Sequence, residues 1–262
     1  MRVQIHDVHN VVLRASEQVT HGALRGRSFL RSTYEQVQAS PDLHIFVADG
    51  AYSRKRRQEI YSGYKSKRPP LTEDRRAGID LFKQIMTMSK AHSITCAGWE
   101  ADDVIGTVGR QMALSEGVTE VVLHTNDSDF GQLLDFPGIK LPRVKVPPHP
   151  PVYVTLFKAL CGDSTDEIPG LAGFGPDSFA KMAPYWAAMK AALDDADHTA
   201  FAALPWVRSG NAVQHPRTFD QLLRFYAIVQ LLTVPDDEID AGSTPGVSNE
   251  PAVHEIFSRY LL

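Results

Sequence analysis

Three short runs rich in β-branched and aromatic residues each stop just short of an aspartate. Val3-Gln4-Ile5 precedes Asp7, His44-Ile45-Phe46-Val47 precedes Asp49, and Val121-Val122-Leu123 precedes Asp127. Runs of this length and make-up read as strands. Helical patterns fill the intervals, over about Thr72 to Lys90 and Trp99 to Ser115, and strands alternating with helices imply a parallel or mostly parallel sheet. The expected fold class is therefore α/β, with a central sheet flanked by helices. Ligands of such sheets bind beyond the carboxyl ends of the strands, which puts Asp7, Asp49, Asp127 and Asp129 along one edge.

These aspartates belong to a larger set of short acidic clusters: Asp7, Asp49, Glu100, Asp102, Asp103, Asp127, Asp129, Asp163 and Asp166. Gathered carboxylates repel one another unless protonated or bridged by cations. Hard oxygen donors select magnesium, with manganese as a substitute. Local structure alone explains part of the set. Acids in a first helical turn complement the helix dipole, which accounts for one or two of Glu100, Asp102 and Asp103, and Asn-Asp pairs are common in strand-ending turns such as Asn126-Asp127.

With 262 residues, 43% of them hydrophobic, the chain can bury a substantial core. No stretch of about 18 apolar residues and no charged-then-apolar leader occurs, so a cytoplasmic protein without a membrane span is expected. Cys96 and Cys161 form no disulfide framework or zinc spacing. The net charge of −4 hides two opposed fields. From Arg54 to Arg76 nine basic residues face three acidic ones, a local charge of +6, which suits phosphate.

The proline-rich Pro142 to Pro151 reads as an extended connector, with Val144 to Val146 a candidate edge strand. It divides residues 1–150, an α/β metal-binding core, from 151–262, a helical region with patterns over Val154 to Leu160, Pro176 to Ala192 and Phe219 to Leu232. Asp240 to Pro251 reads as a polar linker before a last short helix to Leu262. Within the helical region, Gly162-Asp163-Ser164-Thr165-Asp166-Glu167-Ile168-Pro169-Gly170 runs into Gly173 and Gly175 ahead of Pro176. Its two aspartates three apart suit a shared ion, and its glycines permit a turn whose N–H groups meet a phosphate at the next helix start.

Together these segments resemble the 5′ nuclease family, which comprises flap endonucleases and the 5′-3′ exonuclease domain of bacterial DNA polymerase I. Tyr64-Lys65-Ser66-Lys67-Arg68-Pro69-Pro70 is similar to the family's Tyr-Lys-x-x-Arg-Pro-Pro segment. Glu100-Ala101-Asp102-Asp103-Val104-Ile105-Gly106 matches E-A-D-D-V-I-G, and Asp127-Ser128-Asp129-Phe130 with Gln132-Leu133 matches D-x-D-x-x-Q-L. Gly162 to Gly175 matches G-D-x-x-D-x-I-P-G and its glycine-rich helix-turn-helix. The matches run in family order over most of the chain.

The resemblance implies a PIN-like core, a helical arch over about 52–90, and a helix-hairpin-helix-like DNA-binding region. It also implies two metal positions, one from Asp7, Asp49, Glu100, Asp102 and Asp103, the other from Asp127, Asp129, Asp163 and Asp166, with Asp103 and Asp127 central to catalysis. Metal-activated water then attacks the scissile phosphate and leaves a 5′-phosphate. Lys65 and Arg68 match arch residues that meet that phosphate, and Arg57 matches a further arch arginine. Arg54, Arg56, Lys67, Gly170, Gly173 and Gly175 complete the DNA-binding set, and a potassium ion at the glycine-rich turn is implied by the family only. Tyr61 and Tyr64 suit base stacking and helix packing equally. Val8, Asn126, Arg56 and the short connector depart from the family pattern. The expected protein is a stand-alone, monomeric nuclease acting in replication or repair on DNA with a 5′ flap or free 5′ end. A PIN-like ribonuclease and a non-cleaving DNA-junction binder are the alternatives.

Overall fold

The computed structural model describes residues 1–17, 24–145, 148–205 and 216–260. In chain order the strands are β1 (Arg2–Asp7), β2 (Leu43–Val47), β3 (His92–Ile94), β4 (Glu120–His124), β5 (Ile139–Lys140) and β6 (Ser243–Pro245). The helices are α1 (Val8–Glu17), α2 (Leu24–Ala39), α3 (Lys55–Ile60), α4 (Glu73–Thr87), α5 (Ala101–Leu114) and α6 (Val154–Cys161). There follow α7 (Pro176–Lys181), α8 (Trp186–Asp194), α9 (His198–Ala202), α10 (Pro216–Ile228), α11 (Asp236–Gly242) and α12 (Glu250–Tyr260). Among the described residues no helix is long and apolar enough to cross a membrane.

Contacts divide the chain into two compact units. A sheet unit holds Met1–Ser53, Pro69–Lys145 and Leu232–Leu262, and a helical unit holds Arg54–Arg68 and Val146–Leu231. Residues 54–68 thus pack with the helices, and 232–262 return to the sheet unit.

The sheet runs β5-β4-β1-β2-β3-β6, parallel throughout except for β6, which pairs antiparallel with β3. Its mostly parallel α/β character is as expected. The chain leaves β1 toward β2 on one side and fills β4 on the other, so β1 and β4 flank a topological switch point, where such sheets open a crevice. Buried alternate residues of β1, Val3 and Ile5, face one layer. A layer of α1, α2, α4 and α12 packs through Val8, Tyr34, Phe82, Met86 and Phe257. α4 begins where Thr72 caps the Arg75 amide.

Two readings of polar segments change. Asp240 to Pro251 is no simple linker, because Ser243, Thr244 and Pro245 pair with Ile94, Ser93 and His92 and close the sheet edge. Proline is tolerated there because an edge strand leaves one row of N–H groups unpaired. Val144 of the connector is buried without strand pairing, while Val146, like Leu262, lies outside the described residues.

In the helical unit α6, α8 and α10 enclose Leu156, Leu160, Met189, Leu222 and Phe225. The single helix expected over Pro176 to Ala192 is broken into α7, a 3-10 turn at Ala183–Tyr185 and α8. Pro184 explains the break, since it lacks an N–H and disfavours helical backbone before it.

Candidate metal and nucleic-acid site

The carboxyl edge of the sheet collects three of the predicted aspartates. Asp7 ends β1, and its Oδ1 accepts the Asn10 N–H at 3.0 Å, capping the first turn of α1, while the Thr125 hydroxyl lies 3.5 Å from Oδ2. Asp49, two residues past β2, accepts the Ala101 N–H at 2.8 Å through Oδ1 and turns Oδ2 to 3.9 Å from His9 Nδ1. Asp127 accepts the Asp129 N–H at 2.9 Å, and its own N–H donates to Thr125 at 3.1 Å. Each carboxylate is thus aimed by a backbone amide at a helix or turn start.

Their electrostatics are those of a crowded, half-dry anion site. Asp7 is 7% exposed. Burial pushes its carboxyl up, the charges of Asp49 and Asp127 add to that push, and hydrogen bonds from Asn10 and Thr125 oppose it, for a net value of about 7. A cation set among Asp7, Asp49 and Asp127 relieves both the burial and the repulsion. Carboxylate oxygens are the donor type that a hard divalent ion takes, although among the described residues the three do not converge on one point.

The remaining acids of this unit are more firmly engaged. Glu100 is the buried residue before α5, and Asp102 and Asp103 occupy its first turn. Asp103 is 1% exposed, and its Oδ1 accepts the Leu232 N–H at 2.8 Å. Asp129 is buried in the 3-10 turn Ser128–Leu133. Among the described residues, no three His, Cys, Asp or Glu side chains close on one point tightly enough to hold an ion. Backbone amides hold Asp7, Asp49, Asp103 and Asp127.

Asp163 and Asp166 sit in the helical unit, in a loop closed by reciprocal bonds between Asp163 and Ile168 and by the Leu171 N–H donating to Leu160. Gly162 and Gly170 lie back to back with φ of 83° and 66°. A Cβ on Gly170 would stand 2.4 Å from the Gly162 nitrogen, so the close approach itself demands glycine. Gly173, also left-handed, and Gly175 lead into α7, whose first residue is Pro176. The turn lies between α6 and α7.

The basic residues separate into inward and outward groups. Arg57 is 4% exposed and donates to the carbonyls of Ile228 at 2.8 Å and Gln230 at 2.9 Å, at the end of α10. These bonds cap the end of α10. Lys65, buried with φ of 49°, points its Nζ to 3.6 Å from Asp166 and over the Tyr64 ring. Arg68, more exposed, reaches the same carboxylate at 3.5 Å. Arg56 and Lys67 are exposed and Arg54 is half-buried. Tyr64 is in the core and Tyr61 packs edge-on against Phe225, which decides for packing over base stacking.

Three residues not singled out from sequence join the picture. His9 faces Asp49, and Thr125 bridges Asp7 to the Asp127 amide. Lys158 pairs with Asp163 at 2.7 Å, and its signal was legible as the lone charge in the apolar stretch VTLFKALC.

Residues 6–146 match the family model of the 5′-3′ exonuclease N-terminal, resolvase-like domain. The thermostable DNA polymerase I of Thermus filiformis is 31% identical over 216 residues, covering 75% of this chain and 25% of that protein. The 5′-3′ exonuclease of Aquifex aeolicus is 26% identical over 159 residues, covering 56% and 54%. The chain thus spans about a quarter of the length of the polymerase relatives it matches. Among solved structures, the T5 D15 protein co-crystallized with metal ions aligns over 100% of this chain and 98% of its own at TM-score 0.62 and 20% identity. The catalytic core of Rad2 in complex with DNA substrate aligns over 99% and 85% at TM-score 0.54 and 14% identity, so the fold is shared with both. With more than half of its residues matched by the family model, this chain belongs to the 5′-3′ exonuclease family.

Proposed function

We propose that this chain is a magnesium-dependent 5′ nuclease that hydrolyses phosphodiester bonds of DNA at 5′ flaps and free 5′ ends, acting as a monomer in replication or repair. The observation that carries the reading is the amide-aimed trio Asp7, Asp49 and Asp127 at the switch point of the sheet, with the Asp7 carboxyl pushed up to about 7. A buried Asp7 crowded by the half-buried Asp49 and Asp127 is unfavourable by itself and is explained by a cation.

Asp7, Asp49 and Asp127 are the residues that would hold the ion, with His9 Nδ1 lying 3.9 Å from one oxygen of Asp49. When bound, such an ion acidifies water and offsets charge on the leaving oxygen. The chain's own part is orientation. Ala101, Asn10 and Asp129 amides keep the carboxylates from rotating away, which pre-organises the site before substrate arrives. Exposed Arg56, Lys67, Arg75 and Arg76 supply the positive field for the phosphate backbone.

The experiment is cleavage of a labelled 5′-flap DNA and a matching RNA, each with magnesium or with chelator. Magnesium-dependent cutting of DNA near the junction is expected. Cutting of RNA alone replaces this reading with a ribonuclease, and binding without cutting replaces it with a junction binder.

A further inference from the structure

Both carboxylates of the D-x-x-D pair are already held by cations of their own unit. Lys158 Nζ lies 2.7 Å from Asp163 Oδ2, and Asp163 Oδ1 accepts the Thr165 N–H at 2.8 Å. Asp166 Oδ1 lies within 3.6 Å of Lys65 and 3.5 Å of Arg68. Lys158 is 7% exposed and is the one charged residue of α6, whose other side chains build the helical core. A buried ammonium is costly unless it is paired and hydrogen-bonded. Its place in the helix is therefore tied to Asp163.

A hard divalent ion needs several open oxygens. Asp163 is paired with the Lys158 ammonium and Asp166 faces two cations, whereas Asp7 of the sheet unit faces like charges, so this pair does not invite a resident ion as the trio does. We propose that Lys158 is an internal counter-ion that competes with a divalent cation for Asp163. In the metal-free chain its ammonium neutralises and positions the carboxylate. An ion gains Asp163 only by displacing that ammonium, so binding at the D-x-x-D pair is weakened by Lys158 and opposed by this ion pair. The inference rests on reading Asp163 as a cation-facing residue of the proposed nuclease, and it goes beyond that reading by giving Lys158 control over it.

The test is calorimetric titration of the metal-stripped full chain with Mn2+, with melting followed in parallel. The proteins are wild type, Lys158→Met, Lys158→Arg, the double variant Lys158→Met/Asp163→Asn, and Asp7→Asn. Lys158→Met is expected to bind Mn2+ at the D-x-x-D pair about tenfold more tightly than wild type, the scale of one lost competing ion pair. It should also melt below wild type in chelator and recover in Mn2+. Lys158→Arg should keep the wild-type affinity, and the double variant should lose the gain. Should Lys158→Met not fold without metal, Lys158→Gln, which still donates a hydrogen bond to Asp163, serves for the same comparison. Unchanged Mn2+ affinity in Lys158→Met, with a melting deficit that metal does not correct, overturns the proposal and leaves a purely structural ion pair. Mn2+ binding unaffected by Asp7→Asn overturns the metal reading of the sheet unit instead, independently of Lys158.

Discussion

Asp7 and Arg57 are both buried charges, and their surroundings assign them opposite duties. Asp7 is crowded by two like charges, so Asp7→Asn removes a repulsion while keeping an oxygen for the Asn10 amide. This variant is expected to melt at or above wild type in chelator, and a flap-cleavage assay should show kcat down by about a hundred-fold or more. Arg57 satisfies two carbonyls, so Arg57→Met leaves buried acceptors unmade. Urea unfolding should report a loss on the order of 3 kcal/mol. From sequence the two residues looked alike in kind, as functional charges. Asp7 was legible because a strand ended at it. The burial of Arg57 was not, because a six-residue helix is too short to show which face is inward.

Among the elements, the sheet carries a feature that its sequence concealed. His6, His44 and His124 stand on adjacent strands and stack, with His6 4.3 Å from His124 and 5.3 Å from His44 between ring centroids. Gln4 accepts from His124 at 2.7 Å and donates to Asp42, which fixes the His124 tautomer with its proton on Nε2. Burial first, then Arg143 and His44, pushes His124 down to about 4, and burial lowers His6 and His44 too. Below the ordinary imidazole value of 6.5 the unfolded chain takes up protons that the folded stack refuses. Stability is therefore full above that value and falls as pH drops toward about 4. Urea midpoints measured across this window should show the decline, and His6→Phe, which can still stack on Phe46, should flatten it. In β1, Gln4 and His6 alternate with Val3 and Ile5, and that period-two pattern was an available but unused signal. The loop after α6 was more legible, since its glycines were read as a turn. Gly170→Ala should cost on the order of 2 kcal/mol or more, because the added carbon meets backbone that cannot move aside.

For the whole molecule, the basic segment 54–76 was read as one field, and the fold partitions it. Arg57 and Lys65 are committed inward, whereas Lys55, Arg56, Lys67, Arg75 and Arg76 remain exposed. If the exposed set holds DNA, Lys67→Ala should lower the slope of log affinity against log salt by about one, while Arg57→Met changes stability and leaves that slope alone. Fluorescence anisotropy across a salt series separates the two. The α/β class and the acidic edge followed from local pattern, but the two-unit division did not, because 54–68 and 232–262 join partners far away in sequence. The same return of the chain orders events in time. A ribosome releases residues from the N-terminus, and domains close as their parts emerge. Here β3 waits with an open edge until Ser243 to Pro245 arrive about 150 residues later. During synthesis that edge is a template for another chain, and the interval before it is covered is when this protein is most open to aggregation.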